Sequence, residues 1–295
     1  MSNAARRTHE DLRRRGLEAM RSGDFEESLE LFDQALAVVV DDEIARELIT
    51  INKASVLITM EKAGPEIQSL AQVIMRRRNL RHVYLAAYWL QYKNRLDGDL
   101  QRAVFYGQLA LNTADQAHEP TWRRPVLIEL GTNYEMDSQI AKAIECLQEA
   151  IDITEESSEN RDREISMGYA LENLGYCKLL EDKYDEGLAL VHRSLSFIHD
   201  RHALAEAYVD LCYGYLGQGN LELAQSYGSK ALDLAEEQRQ IRNAHYLLGE
   251  IAHQQHDTAT AEFHFDELAR FYPGFRHLKD VLFAIDLRRM VNWKL

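Results

Sequence analysis

Apolar residues recur along most of the chain at the three- and four-residue spacing of an α-helix, and short polar turns interrupt them at regular intervals. Residues 124–151 show the pattern most clearly: Gly131 is followed after three residues by Tyr134 and after twelve by Ala143. Turn-forming residues separate one stretch from the next, such as the Ser-Gly-Asp of 22–24, the Asp-Gly-Asp of 97–99 and the Gly-Gln-Gly-Asn of 217–220. The pattern predicts pairs of amphipathic helices and argues against a β-rich fold.

The same spacing of small residues repeats along the chain. Its landmark positions are residues 16, 54, 91, 131, 175, 212 and 249. The second unit is the weakest, because Glu66 stands where the second small residue should be, but Pro65 is suited to the first turn of its second helix. The widest spacing contains the charged segment 155–164, which is interpreted either as a solvated helix extension or as a hinge between the fourth and fifth units.

This pattern resembles the tetratricopeptide repeat, a unit of two helices with a small residue at their crossing point. The residues that carry the resemblance are Leu130, Gly131 and Tyr134, Leu248 and Gly249, Ala261 and Phe265, and Pro273. The resemblance implies an all-α fold, a right-handed superhelical α-solenoid of about seven helix pairs. Such arrays need a terminal element that covers the last apolar face, and a C-terminal capping helix is therefore expected.

The predicted organisation is an N-terminal tail of residues 1–7, a solenoid of residues 8–274 with a degenerate second repeat, and a capping helix of residues 275–295. An apolar stripe at helical spacing supports the last of these elements. The alternative is a helix that forms a homodimer, for which Phe283, Val291 and Trp293 would be the residues left over for a partner.

The net charge of −14 is unevenly distributed. Residues 1–124 hold 18 basic and 18 acidic residues, so the whole acidic excess lies beyond residue 124. This balance argues against nucleic acid as a partner, because phosphate binding depends on clustered cations. The sequence also shows no apolar run long enough to span a membrane and no signal peptide, so we expect a cytoplasmic protein with no membrane partner.

In such a stack the first helix of each pair lines a concave surface, and the face away from its packing residues is free for a ligand. Projecting each first helix at about 100° per residue gives the side chains of that face. The predicted peptide-binding residues are Arg13, Asn52, Tyr88, Trp89, Tyr92, Glu129, Tyr169, Glu172, Asn173, Tyr176, Asp210, Tyr213, Tyr246 and Glu250. Six of the fourteen tyrosines of the chain are among them. The competing interpretation is that neighbouring repeats bury these tyrosines.

Tyrosine combines a large apolar surface with a hydroxyl group and is common in recognition surfaces. The acidic residues between the aromatic ones favour a partner segment that carries Lys or Arg beside apolar residues. The leading functional hypothesis is therefore an adaptor that binds a peptide segment of another protein in its groove. The alternative is a regulatory receptor similar to bacterial peptide-sensing repeat proteins, although the repeats begin too early, by about residue 9, for their usual N-terminal domain.

Other kinds of site have weaker support. The family's clamp for C-terminal carboxylates would use Arg13 and Asn52, but apolar residues occupy its other positions. His253, His256 and His264 suggest a metal site, yet His256 falls in an expected turn, so we predict none. The arginines at 13–15 and 76–78 are interpreted as solvated faces. No nucleophile, phosphate or cofactor motif is found, and the protein is predicted not to be an enzyme and to need no cofactor.

Overall fold

A computed structural model describes residues 3–62, 64–156 and 161–285, and fifteen helices lie within these ranges. They are α1 (Asn3–Ser22), α2 (Phe25–Val38), α3 (Glu43–Thr59), α4 (Pro65–Arg76), α5 (Leu80–Leu96), α6 (Leu100–Ala117), α7 (Pro120–Met136), α8 (Ile140–Glu156), α9 (Arg161–Leu180), α10 (Tyr184–Ser194), α11 (Arg201–Gly217), α12 (Leu221–Leu234), α13 (Gln238–Gln254), α14 (Thr258–Ala269) and α15 (Leu278–Ala284). The described residues contain no strand. The all-α prediction of seven helix pairs followed by a further helix is confirmed.

The chain divides into two compact units, Met1–Asn133 and Tyr134–Leu295. Unit 1 holds α1 to α6 and most of α7, and unit 2 holds α8 to α15. The two helices of a pair pack on one another in α1/α2, α3/α4, α5/α6, α9/α10, α11/α12 and α13/α14. Consecutive first helices also touch, as α3 and α5 do in unit 1 and α9, α11 and α13 in unit 2.

Small residues allow the two helices of a pair to approach closely. A Cβ atom added to Gly16 would lie 2.7 Å from the ring of Phe32, and one added to Gly249 would lie 2.3 Å from the ring of Phe265. Both phenylalanines are fully buried. Ser28, the second small residue of the first pair, donates a hydrogen bond of 2.8 Å to the carbonyl of Gly16. The landmark spacing in the sequence thus records the crossing points of the helices.

The third pair reverses this arrangement. Its landmark residue, Gln91, is large and fully buried, and the small residue is Gly107 on the second helix, where an added Cβ atom would lie 2.6 Å from Gln91 Oε1. The side-chain amide of Gln91 has no hydrogen-bond partner among the described residues. One small residue per crossing is therefore enough to let the helices approach, whichever helix supplies it.

The predicted turns end and begin helices as expected. Gly23, Gly98 and Gly219 each follow a helix with φ between 75° and 85°, a conformation that costs glycine little. The next helix then often begins with a side-chain cap: Asp99 Oδ1 accepts a hydrogen bond from the Arg102 amide. The second helix of the weak repeat begins at Pro65, as predicted.

Two predicted boundaries lie partly outside the residues that the structure describes. Helix α8 ends at Glu156 and α9 begins at Arg161, so the segment 155–164 is helical at both ends while residues 157–160 lie outside the described residues. Helix α1 begins at Asn3, within the predicted tail of residues 1–7.

The short helix α15 lies against the last pair. Leu278 and Leu282 are buried in the core of unit 2, and the ring of Phe283 meets those of Phe265 and His253 at 5.1 and 5.3 Å. Phe283, one of the residues expected to be left over for a second copy, is thus packed within its own chain. Residues 286–295, with Val291 and Trp293, lie outside the described part of the chain.

Candidate peptide-binding surfaces

Three predicted residues of α5 form one aromatic group on the first-helix face of unit 1. Tyr88, Trp89 and Tyr92, called the α5 aromatic set below, are half-buried. Edge-to-face contacts link Trp89 to Tyr88 at 5.5 Å and to Tyr92 at 6.0 Å between ring centroids. Trp89 and Tyr92 also pack on the core residues of α3 and α5. The set is held in place by packing, and its residues are not fully covered.

Two further aromatic residues, the buried Tyr84 and the half-buried Trp122, support this surface within unit 1. Tyr84 stacks on Trp122 of α7 at 4.7 Å, donates a hydrogen bond of 3.0 Å to the Trp122 carbonyl, and stacks on Tyr88 at 6.3 Å. Burial raises the pKa of Tyr84. The pKa of Tyr88 is also raised, mainly by burial and in part by Glu129.

A cation and a carboxylate lie at the C-terminal end of the set. The guanidinium of Arg95 sits 4.9 Å from the centre of the Tyr92 ring and donates a hydrogen bond of 2.6 Å to Glu129 Oε2. Both charged side chains are only 19% exposed. Sequence reasoning placed Glu129 on this face but missed Arg95, although its position one turn after Tyr92 on the same helix is a signal that could have found it.

The other two predicted residues of unit 1 contact each other. Arg13 of α1 donates a long hydrogen bond of 3.5 Å to Asn52 Oδ1 of α3, and both side chains are half-buried. Burial lowers the pKa of Arg13, and the nearby charge of Arg81 lowers it further. These two residues supply a positive charge and an amide on the first helices of the first two pairs.

Three of the predicted tyrosines of unit 2 are buried, in contrast to the half-buried α5 aromatic set. Tyr176, Tyr213 and Tyr246 are 2%, 6% and 5% exposed, and the rings of Tyr176 and Tyr213 meet at 6.2 Å between α9 and α11. The projection of a single helix left these side chains on an open face, and the structure corrects that expectation. The reason is that α11 contacts both α9 and α13, and the three rings belong to the core that these helices share.

The predicted acidic residues of unit 2 are also buried. Glu172 is 6% exposed, Glu250 is 3% exposed and Asp210 is fully buried. The expectation that they lie on an open surface is therefore corrected. The pKa of Tyr176 is raised well above its ordinary value, chiefly by burial, with the charges of Glu135 and Asp210 adding to the effect. These carboxylates therefore belong to the polar interior between the first helices.

Two predicted residues of unit 2 remain accessible. Tyr169 is 38% exposed and Asn173 is half-buried, and they lie one turn apart on α9. Exposure falls along this helix face from Tyr169 to Tyr176, where α11 begins to cover it. The open part of the predicted unit-2 surface is thus the N-terminal half of α9.

Unit 2 also has an aromatic cluster that the projection did not find. The rings of Tyr215 and Tyr227 stack at 5.6 Å, Tyr208 lies 5.8 Å from Tyr227, and His192 Nε2 lies 2.8 Å from the Tyr215 hydroxyl oxygen. Lys230 Nζ sits 4.8 Å above the Tyr227 ring. The seven-residue spacing of Tyr208 and Tyr215 on α11 was the available signal.

The alternative sites gain no support from the geometry. His264 Nδ1 lies 2.9 Å from the corresponding atom of His245, while His256 sits in the turn before α14 with φ 62°. Within the described ranges no three His, Cys, Asp or Glu side chains are placed to hold a metal ion. Arg14 of the first basic cluster pairs with Asp11 and Glu18, and Arg78 of the second pairs with Glu43. None of the helices in residues 3–62, 64–156 and 161–285 combines the length and hydrophobicity needed to span a membrane.

Solved structures with a similar arrangement cover most of the chain. The apo form of RapI is similar over 94% of this chain and 82% of its own, with a TM-score of 0.67 at 11% identity. A tetratricopeptide repeat protein from Parabacteroides merdae ATCC 43184 covers 94% of this chain and 98% of its own, with a TM-score of 0.60 at 14% identity. A Rap protein complexed with competence and sporulation factor is similar over 92% of this chain and 76% of its own, with a TM-score of 0.62 at 17% identity. No protein-family model and no curated protein sequence matches the chain.

Proposed function

Because the chain has the tetratricopeptide-repeat fold, we propose that it is an adaptor that binds a segment of a partner protein on its first-helix faces. The observation that carries this proposal is the α5 aromatic set, which is fixed by core packing yet partly open to solvent. Rigid aromatic side chains lose little entropy on binding and give large contact areas. They are the residues that most often dominate the energy of an interface.

The charged residues beside the set define the partner. Glu129 accepts a hydrogen bond from Arg95, and that guanidinium already lies over the Tyr92 ring. A Lys or Arg of the partner would share these groups with Arg95, since a carboxylate accepts more than one hydrogen bond from a cation. We therefore propose a segment that combines basic and apolar residues. Its contacts in unit 1 are proposed to be Arg13, Asn52, Tyr88, Trp89, Tyr92 and Glu129.

In unit 2 the proposed direct contacts are Tyr169 and Asn173, which are the accessible members of the predicted set. The remaining predicted residues are Glu172, Tyr176, Asp210, Tyr213, Tyr246 and Glu250. Their burial supports a different role, which is to hold α9, α11 and α13 in register behind the surface that the partner would touch. For α15, the proposal is a cap over the last pair, supported by the burial of Leu278 and Leu282.

A second candidate is a receptor that responds to a short free peptide. It is favoured by the likeness to the Rap protein whose structure is complexed with competence and sporulation factor. Adaptor and receptor differ in what they bind: a segment within a folded partner for the first, and a free oligopeptide for the second. They share the prediction that a linear segment binds the α5 aromatic set.

The proposal can be tested by selecting binders to the purified chain from a phage-displayed library of random twelve-residue peptides. We expect a consensus that contains Lys or Arg next to a large apolar residue. The selected peptide, synthesised free and titrated by calorimetry, should bind the wild-type chain and bind Trp89→Ala more weakly.

Phe105→Ala is the matched control, since Phe105 is a 60% exposed aromatic residue on the second helix of the same pair. Equal binding by Trp89→Ala and Phe105→Ala would reject the first-helix face as the site. A library that yields no enriched sequence would count against peptide recognition altogether. Fusing the selected sequence within a folded carrier protein then separates the two candidates, because only an adaptor is expected to bind it there as tightly as when free.

A further inference from the structure

A pocket of about 440 Å³ opens in unit 2 beside the accessible end of α9. Its lining residues are Glu164, Ile165, Tyr169, Phe197, Ile198, His199 and Asp200. They come from the first turns of α9 and from the connection that leads from α10 into α11. The volume falls within the range of roughly 300–1,000 Å³ that is usual for ligand pockets in proteins.

The walls of the pocket are apolar and partly open to solvent. Ile165 and Tyr169 lie one helical turn apart on α9 and are 43% and 38% exposed, while Phe197 and Ile198 form the facing wall. Gly168 allows the walls to approach, because a Cβ atom there would lie 3.0 Å from Ile198 Cγ1. Ile165 and Tyr169 are large apolar side chains left exposed in a protein that buries most of its others.

The polar lining of the pocket is mainly acidic. It consists of Glu164, Asp200 and His199, and no Lys or Arg is among the lining residues. Asp200 is held in place, since its Oδ1 caps α11 by accepting a hydrogen bond of 2.8 Å from the Ala203 amide. Two carboxylates in the lining of an apolar pocket favour a ligand with a positive charge beside an apolar group.

We propose that this pocket is the anchor site for one large apolar side chain of the partner segment, and that Glu164 and Asp200 select a Lys or Arg next to that side chain. The proposal rests on the proposed function and deepens it by giving the partner a motif. Tyr169 links the pocket to the proposed peptide-binding surface, because it is both a wall of the pocket and a predicted peptide contact. The neighbouring face of α9 beyond Asn173 is closed by burial, which leaves the pocket as the open place for an anchor in this part of unit 2.

The test uses the full chain and a defined probe: a fluorescein-labelled nine-residue peptide with one central phenylalanine flanked by two lysines on each side. A second probe replaces the phenylalanine by alanine, and a third replaces the lysines by glutamates. Fluorescence anisotropy should show about tenfold weaker binding for the alanine probe, as expected for loss of one buried aromatic side chain. The glutamate probe should show no measurable binding.

The decisive variant is Ile165→Glu. It adds a negative charge, which by simple attraction would strengthen binding of the lysine-rich probe, yet it removes an apolar wall. We expect about tenfold weaker binding, and a similar loss for Tyr169→Ala. Leu223→Glu is the matched control, because Leu223 is 39% exposed on α12 of the same unit and carries the same change of charge. Both glutamate variants alter exposed positions, and circular dichroism will verify that they fold.

The outcomes separate the two proposals. Equal affinity for the phenylalanine and alanine probes, or unchanged binding by Ile165→Glu, would overturn the pocket assignment. If peptides selected from the library lose binding with Trp89→Ala and keep it with Ile165→Glu, the proposed function stands and the pocket is not the anchor. Weakening by Ile165→Glu together with no effect of Leu223→Glu supports the pocket.

Discussion

The two units use their first-helix aromatic residues in opposite ways. In unit 1 the α5 aromatic set stays half-buried beside the Arg95–Glu129 ion pair. In unit 2 Tyr176, Tyr213 and Tyr246 are at most 6% exposed. Their hydroxyl groups and rings lie between α9, α11 and α13 rather than on an open surface.

The difference shows that the same position in a helical repeat can stay half-buried or be closed off by neighbouring helices. Unit 1 concentrates its aromatic side chains on one helix, so that they shield one another only in part. Unit 2 distributes them over successive helices that touch, so each ring fills a gap between two helices. An exposed ring is available to a partner, whereas a buried ring contributes to the free energy of folding.

The largest expected effect comes from truncating one tyrosine of each kind. Tyr213→Ala should destabilise the chain by about 3–5 kcal/mol, because it leaves a cavity in a closed core. Tyr92→Ala should cost only about 1 kcal/mol, since its ring is already partly in water. Urea unfolding followed by circular dichroism measures both. Equal losses would show that the contrast in burial has no energetic meaning.

Binding should show the reverse order. Trp89→Ala is expected to weaken a selected peptide by about 1–3 kcal/mol, the usual effect of removing an aromatic anchor. Tyr246→Phe keeps the buried ring and should leave the affinity unchanged. Calorimetric titration of both variants makes the comparison direct. A loss of affinity with Tyr246→Phe and none with Trp89→Ala would place recognition on unit 2 instead.

The stability of unit 2 should decrease in acid because of a pair of histidines. Burial lowers the pKa of His264 to about 4, with His245 2.9 Å away adding to the shift, and burial also lowers the pKa of His245. Glu267 opposes both shifts, and Arg270 adds to the one at His245. Between about pH 4 and pH 6.5 the unfolded chain binds more protons than the folded one, so stability decreases as the pH falls through this window.

The loss is expected to be about 1–2 kcal/mol once solvent screening of the half-buried His264 ring is allowed for. His264→Leu should flatten the dependence of the melting temperature on pH between 4 and 7. His118→Leu, which changes a histidine of unit 1 outside the pair, is the control. An unchanged slope in His264→Leu would assign the acid sensitivity elsewhere.

The smallest effect concerns the ion pair that borders the α5 aromatic set. Glu129→Gln keeps the shape of the side chain but removes the charge that holds Arg95 over Tyr92. We expect a stability loss of about 1 kcal/mol, which decreases as salt is raised. Thermal unfolding at low and high salt measures it. A loss that does not depend on salt would mean that packing rather than charge holds Arg95.

Periodicity and turn chemistry allowed most of the fold to be predicted. The seven helix pairs, the start of α4 at Pro65 and the left-handed glycines at 23, 98 and 219 all depend on residues close together in the chain. The prediction also found which side of α5 carries the aromatic set. These features follow from the period of 3.6 residues and from backbone preferences, which act locally.

The sequence by itself thus determined the helices, their pairing and which residues share one face of each helix. Only the tertiary structure decided how far neighbouring helices cover that face, which is almost completely for Tyr176 and Asp210 and only in part for Trp89. It also decided that Gly107 rather than residue 91 makes room at the third crossing, and it created the pocket beside Ile165. The physical reason is that burial depends on contacts between residues some 40 positions apart, which a pattern within one helix does not contain.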